Sequence, residues 1–96
     1  MNIIDLRREI NIIDENIVKL FTKRMELAAE IAEFKMRNDL AVYVPAREQE
    51  ILKRLSEQCA PELAEYIQAL YLRIFELSRD YQNKYISETS SNIEVI

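Results

Sequence analysis

A single arginine interrupts a long apolar stripe in the first third of the sequence. Hydrophobic residues recur there in alternating steps of three and four, the spacing of a helix buried against partner helices, and Arg24 occupies one of these positions. Because a guanidinium keeps its proton, Arg24 buried without a partner would destabilise the protein by several kcal/mol. The pattern therefore predicts an anionic partner, either an acidic side chain or a bound ligand. The apolar positions are Ile3, Leu6, Ile10, Ile13, Ile17, Leu20, Leu27, Ile31 and Phe34.

Other polar residues also lie on faces of predicted helices that are otherwise apolar. Lys35 lies about 20° around the first helix from Arg24 and about 16 Å along its axis. Two cations at this spacing could bind the two ends of one small anionic molecule. Ser78 and Gln82 share a stripe of the last helix and could donate hydrogen bonds into a pocket. The rest of that stripe is aromatic, at Tyr71, Phe75 and Tyr85.

Three further charged residues are candidates for the same site. Arg47 and Glu48 are adjacent residues of opposite charge in the first turn of the predicted second helix. Arg7 lies beside the apolar stripe, about 25 Å from Arg24 along the helix, too far for both to touch one small ligand within one chain. In an antiparallel dimer, however, a site could combine Arg7 of one chain with Arg24 and Lys35 of the other.

Each of these residues also has a structural interpretation. Arg24 could pair with a neighbouring glutamate, although those nearest in sequence point away from its face. Lys35 could compensate the helix dipole or be solvated, and the remaining polar residues could lie at the surface. A shared site is favoured because polar residues recur on apolar faces of all three helices. The neighbouring glutamates are Glu26, Glu30 and Glu33.

Composition excludes several classes of function. The chain has 96 residues, enough for one domain, with a net charge of −4 and no His, Gly or Trp. Lack of Gly excludes a P-loop or a dinucleotide fingerprint, and lack of His excludes a His-assisted nucleophile. Cys59, the only cysteine, is interpreted as an apolar filler. One Cys and no His leave no conventional zinc site and no intrachain disulfide, and we expect no metal or cofactor. The sequence has no basic stripe of the kind that would indicate nucleic-acid binding.

The chain is also expected to be cytoplasmic. Its first residues include acids and lack the apolar core of a signal peptide. No stretch approaches the roughly 20 apolar residues of a membrane span.

Periodicity and proline positions predict three helices. The first runs from about Ile3 to Arg37, and a loop follows at 38–44. Pro45 opens the second, which ends near Gln58, and Pro61 opens the third, which ends near Ile86. A second line of apolar residues predicts the core face of the third helix. Its members are Leu63, Ile67, Leu70, Ile74, Leu77 and Tyr81.

These elements predict an all-α fold with one helical domain at 1–86 and a polar, disordered tail at 87–96. The first helix alone would be about 50 Å long, whereas a compact globule of this size has a radius of gyration of about 12–13 Å. Its apolar stripe would be exposed at one end unless another chain covered it. We therefore expect an intertwined homodimer with antiparallel long helices.

Four sequence segments in this order resemble the all-helical (AroQ-type) chorismate mutases. They read DLRREIN-ID, KRMELAAEIAEFK, VPAREQE and FELSRDYQ, and the resemblance covers about residues 3 to 85. It implies an isomerase that converts chorismate to prephenate by a [3,3]-sigmatropic rearrangement in aromatic amino-acid biosynthesis, without metal or cofactor.

The resemblance also implies a role for each candidate residue. Arg7 would enter the site across the dimer interface, and Arg24 would bind a substrate carboxylate. Lys35 and Gln82 would donate to the ether oxygen, with Lys35 also facing a carboxylate. Ser78 would hydrogen-bond a carboxylate, Arg47 would support the charge balance of the pocket, and Glu48 would accept the ring hydroxyl. Some members carry an acidic residue where this chain has Val44.

Three alternatives stay open from the sequence. The first is an isochorismate-pyruvate lyase, which shares the fold and a cationic pocket. The second is a non-catalytic helical dimerisation module in which Arg24 pairs with a glutamate of the partner chain. The third is a domain of a longer enzyme, since similar domains occur fused to other enzymes of aromatic amino-acid synthesis; the polar tail mildly favours a free-standing protein.

Overall fold

The protein is represented by a computed structural model, which describes the backbone of residues 1–95 and the side chains of residues 1–90. It contains α1 (Ile3–Arg37), α2 (Pro45–Gln58), a short 3-10 turn (Pro61–Leu63) and α3 (Ala64–Val95). No strand occurs in the described backbone. The predicted all-α fold with three helices is confirmed.

Local side chains explain why α1 begins and ends where it does. The Asn2 side chain accepts from the Asp5 backbone N–H at 3.0 Å, and the Asp5 carboxylate accepts from the Asn2 backbone N–H at 3.5 Å. This capping box satisfies two N–H groups that the first turn leaves free. At the other end the Asn38 side chain donates to the Phe34 carbonyl at 2.8 Å. Asp39 then takes a left-handed conformation with φ of 55°, which ends the helix.

The bounds of α3 differ from the prediction at both ends. Pro61 opens the 3-10 turn, and the α-helix starts only at Ala64. The helix then runs to Val95, past the predicted end near Ile86, because no Gly or Pro follows Pro61 to stop it. The division into a domain at 1–86 and a tail at 87–96 stays a prediction, and the side chains beyond residue 90 lie outside the described part.

The three helices form an elongated body. Both α1 and α2 pack against α3. The molecule measures 60 × 28 × 15 Å, and its radius of gyration is 17.3 Å. This exceeds the value of about 12–13 Å for a compact chain of this size, because α1 and α3 each run most of the length of the molecule.

Little of the apolar stripe of α1 is buried within one chain. Ile10, Leu20 and Phe34 are 54%, 68% and 61% exposed. The predicted core line of α3 is partly uncovered as well, at Leu63, Leu70 and Tyr81. The described apolar core is instead small, consisting of Ala28, Ala32, Ile51 and Phe75. Large apolar surfaces of this kind are typical of interaction sites.

None of the described helices is both long enough and apolar enough to cross a membrane.

Candidate active site

A cavity of about 470 Å³ lies among α1, the loop after it, α2 and α3. This volume is in the range of sites for small molecules. Its lining includes six of the seven residues that the sequence nominated, drawn from all three helices; the exception is Arg7. The six are Arg24, Lys35, Arg47, Glu48, Ser78 and Gln82.

Arg24 reaches the cavity from the middle of α1 and is half-buried. Its guanidinium carbon lies 5.9 Å from the centroid of the Phe75 ring. Among the described residues no carboxylate lies within 4 Å of it, so no glutamate of the described chain is its partner. A cation held on an aromatic face keeps its N–H groups available to an anion.

Lys35 lies near the end of α1 on the same face. Its Nζ donates to the Val42 carbonyl in the following loop at 2.8 Å. A carbonyl orients the ammonium without neutralising its charge. No carboxylate of the described residues lies within 4 Å of it, so Lys35 is a second available cation at this cavity.

Ser78 and Gln82 contribute neutral polar groups from α3. Both are buried, with 7% of each residue exposed. The Gln82 Nε2 donates to the Ser78 Oγ at 3.1 Å, while the buried Gln82 Oε1 has no partner in the described part of the chain. In this orientation the second Nε2 N–H and the Ser78 O–H both remain available to donate to a ligand. The surface interpretation of these two residues is therefore wrong.

The adjacent charges Arg47 and Glu48 do not pair with each other. Arg47 binds Glu50 at 3.1 Å, and both side chains are more than half exposed. Glu48 instead binds Arg79 of α3, and these two side chains are 20% and 27% exposed. The first pair is a rim contact on one helix, whereas the second joins α2 to α3.

Arg79 is a cavity residue that the sequence analysis missed. Its guanidinium binds Glu48 and lies 4.6 Å from the centroid of the Tyr43 ring. The hydrogen bond to Glu48 raises the pKa of Arg79 above its ordinary value. The stability that this contact contributes is therefore present at neutral pH and is lost as the pH rises through that raised pKa. The available sequence signal for Arg79 was its position directly after Ser78. Its partner Glu48 lies 31 residues away in the chain.

These pairings define the charge of the cavity. Its lining holds four cationic side chains and one carboxylate. Arg79 is neutralised by Glu48, and Arg47 is paired with Glu50. Among the described side chains, Arg24 and Lys35 are left as two unpaired positive charges, which suits a ligand with two negative charges.

Comparison with known proteins identifies the family of this chain. Residues 6–83 match the family described as "Chorismate mutase type II". The chain belongs to the chorismate mutase type II family. A bifunctional chorismate mutase/prephenate dehydratase of Buchnera aphidicola is 35% identical over 90% of this chain, and the T-protein of Haemophilus influenzae is 32% identical over 84%. This chain spans only 24% and 22% of the lengths of those two relatives.

A third relative has a similar length. It is named chorismate mutase, comes from Methanocaldococcus jannaschii, and is 28% identical over 91% of this chain and 90% of its own. No solved structure gives a significant match. The resemblance that was found in the sequence is thus confirmed at the level of the family.

Arg7 and Val44 contribute no polar side chain to this cavity. Arg7 is exposed on the first third of α1 and does not line the cavity; its role across a dimer interface stays a prediction. Val44 does line the cavity and offers no side-chain acceptor there. Glu48 is therefore the carboxylate that this chain contributes to the cavity lining.

Proposed function

We propose that this protein is a chorismate mutase, converting chorismate to prephenate in aromatic amino-acid biosynthesis. The observation that carries the proposal is the pair of unneutralised cations, Arg24 and Lys35, at one cavity with the neutral groups of Ser78 and Gln82. Chorismate carries two carboxylates and an ether oxygen, so two cations and neutral hydrogen-bond donors match it. Membership of the type II family supports the same substrate.

The first task of such a site is to hold the substrate in its reactive, folded conformer. Arg24 would bind one carboxylate, and the Ser78 hydroxyl would donate to a carboxylate. Fixing the enolpyruvyl side chain relative to the ring brings the carbon atoms that must bond into contact, which is an orientation effect. Packing of Arg24 on Phe75 would fix the guanidinium before the substrate arrives.

The second task is to stabilise charge that grows on the ether oxygen. In the rearrangement the C–O bond breaks as the new C–C bond forms, within one cyclic shift of electron pairs and without any proton transfer. Lys35 and the Gln82 amide would donate to that oxygen. Donors held in place beforehand are worth about 3–4 kcal/mol each in such sites.

The remaining cavity residues would orient the ring. Glu48 would accept the ring hydroxyl, and Arg47 would contribute to the positive potential at the rim. Since Val44 has no carboxylate, the hydroxyl would have one acidic side chain to bind.

We also infer that the active form is an intertwined homodimer, in which a second copy supplies Arg7 to each cavity. The exposed apolar stripe of α1 supports this assembly, because a second α1 would cover it. The protein would act in the cytoplasm.

The decisive experiment follows chorismate absorbance after addition of purified protein, with product analysis and an Arg24→Ala variant. Loss of chorismate with formation of prephenate, dependent on Arg24, is the expected result. Isochorismate is offered in parallel, and conversion to salicylate and pyruvate in place of prephenate formation would make the protein a lyase. If neither substrate reacts, the proposal fails and a non-catalytic helical module is the better description.

A further inference from the structure

We propose that Arg79 is a positioning residue, which holds the Glu48 carboxylate in the orientation that binds the ring hydroxyl of the substrate. The inference rests on the proposed function and assigns a role to a residue that the family pattern above leaves without one. It begins from a contact between distant elements, since Glu48 lies in the first turn of α2 and Arg79 in the middle of α3.

The contact uses only part of the Glu48 carboxylate. Arg79 Nη1 donates to Glu48 Oε2, and no donor among the described residues reaches Oε1. Glu48 lines the cavity, so Oε1 is available to accept from a ligand hydroxyl. One oxygen held by the protein and one left for the ligand is the arrangement of an oriented acceptor.

Arg79 is itself held on a second side. Its guanidinium lies 4.6 Å from the centroid of the Tyr43 ring, in the loop between α1 and α2. A planar guanidinium can contact an aromatic ring and bind a carboxylate at the same time, and a lysine ammonium reproduces this combination only in part. Arg79 therefore joins α3 to the loop and to α2, the two segments that form one wall of the cavity.

Arg79 also neutralises the charge that Glu48 presents to the substrate. Without it, Glu48 would present an unneutralised negative charge to a substrate dianion, in a partly buried setting where screening is weak. With it, the carboxylate keeps its acceptor oxygen while its charge is cancelled. This distinguishes Arg79 from Arg24 and Lys35, which touch the substrate directly in the proposed mechanism.

The test is a double-mutant cycle on the full chain with Arg79→Met, Glu48→Gln and the combined variant, assayed for kcat and KM on chorismate. A contact with the ring hydroxyl exists in both ground and transition states, so Arg79→Met should raise KM about 10-fold or more and lower kcat less. In the Glu48→Gln background the same change should have a smaller effect, because the negative charge that Arg79 neutralises is gone.

Two controls separate positioning from structural damage. Arg37→Met removes another arginine bound to a glutamate, Glu33 at 2.6 Å, but outside the cavity, and should leave KM unchanged. Arg79→Lys should recover part of the loss in KM, through charge without the planar fork. Thermal unfolding is measured for every variant, and if Arg79→Met does not fold, the cycle is run with Arg79→Lys.

The outcomes also separate this inference from the proposed function. An active wild-type protein whose Arg79 effect is equally large with Glu48→Gln would overturn the positioning role alone. An Arg79→Met variant that lowers kcat at unchanged KM would overturn it as well. A folded wild-type protein that does not turn over chorismate would overturn both proposals.

Discussion

The guanidinium carbon of Arg24 lies 5.9 Å from the centroid of the Phe75 ring, and no described carboxylate lies within 4 Å of it. The ring attracts the cation but does not neutralise it. All five N–H groups of a guanidinium are directed at its edge, not its faces. An arginine that is near an aromatic ring and has no described carboxylate partner is therefore available to bind an anion, and this relationship motivates the first prediction.

Arg24→Ala should lower kcat/KM by at least about 10²-fold, because hydrogen bonds to charged groups are worth about 1.5–3 kcal/mol each. The ligand-free variant should be as stable as the parent or more stable, since an uncompensated charge has been removed from a half-buried position. Steady-state kinetics and thermal unfolding check the two halves. Arg54→Ala, exposed on α2 and outside the cavity, is the control. Strong destabilisation with Arg24→Ala would instead indicate a glutamate of another chain.

Lys35→Met should lower kcat by about 10²–10³-fold, the usual loss for one donor to a developing negative charge. The methionine preserves the apolar stem but donates to neither the Val42 carbonyl nor the ether oxygen. Lys53→Met, an exposed residue outside the cavity, should have no effect. Equal losses in the two variants would remove Lys35 from the mechanism.

Activity should not require an acidic pH, because the Gln82 amide donates a hydrogen bond at any pH. Gln82→Glu reverses this, since only a protonated carboxyl can donate to the ether oxygen. Its kcat should be present below the pKa of the new carboxyl and fall as the pH rises through that pKa. Gln82→Met, without a donor, should be impaired at every pH. A parent enzyme whose kcat collapses between about pH 5 and 8 would contradict the assignment.

Mixing two inactive variants tests the homodimer and the role of Arg7 together. If each site combines Arg7 of one chain with Arg24 of the other, an Arg7→Ala/Arg24→Ala heterodimer contains one intact site. Random exchange of subunits at equal concentration should then restore about a quarter of the parent activity. Arg24→Ala mixed with Lys35→Ala should restore nothing, because both residues belong to the same chain's cavity. Failure of the first mixture to recover, with exchange demonstrated, would contradict a site that is shared between the two chains.

Much of the fold could be predicted because its signals are local. The bounds of α1 and α2 follow from periodicity, from the capping residue Asn2 and from Pro45, all of which act within a few residues along the chain. The end of α3 was harder to predict, since a Ser-rich sequence without Gly or Pro weakens a helix but does not stop it.

The candidate site was predictable as a set of residues but not as a set of contacts. Polar side chains on apolar faces identified six of the residues that line the cavity. The partner of Glu48 was not predictable, because packing of α2 on α3 brings Arg79 to it from 31 residues away in the chain.

The sequence by itself determined the three helices, the lack of His and Gly that excludes a His-assisted nucleophile or a Gly-rich loop, and the faces on which Arg24, Lys35, Ser78 and Gln82 lie. Tertiary structure decided which charges remain available. The path of the loop places the Val42 carbonyl against Lys35, and the approach of α3 neutralises Glu48 with Arg79. The physical reason is that helix periodicity depends on neighbours along the chain, whereas the charge of a cavity depends on contacts between residues far apart in it.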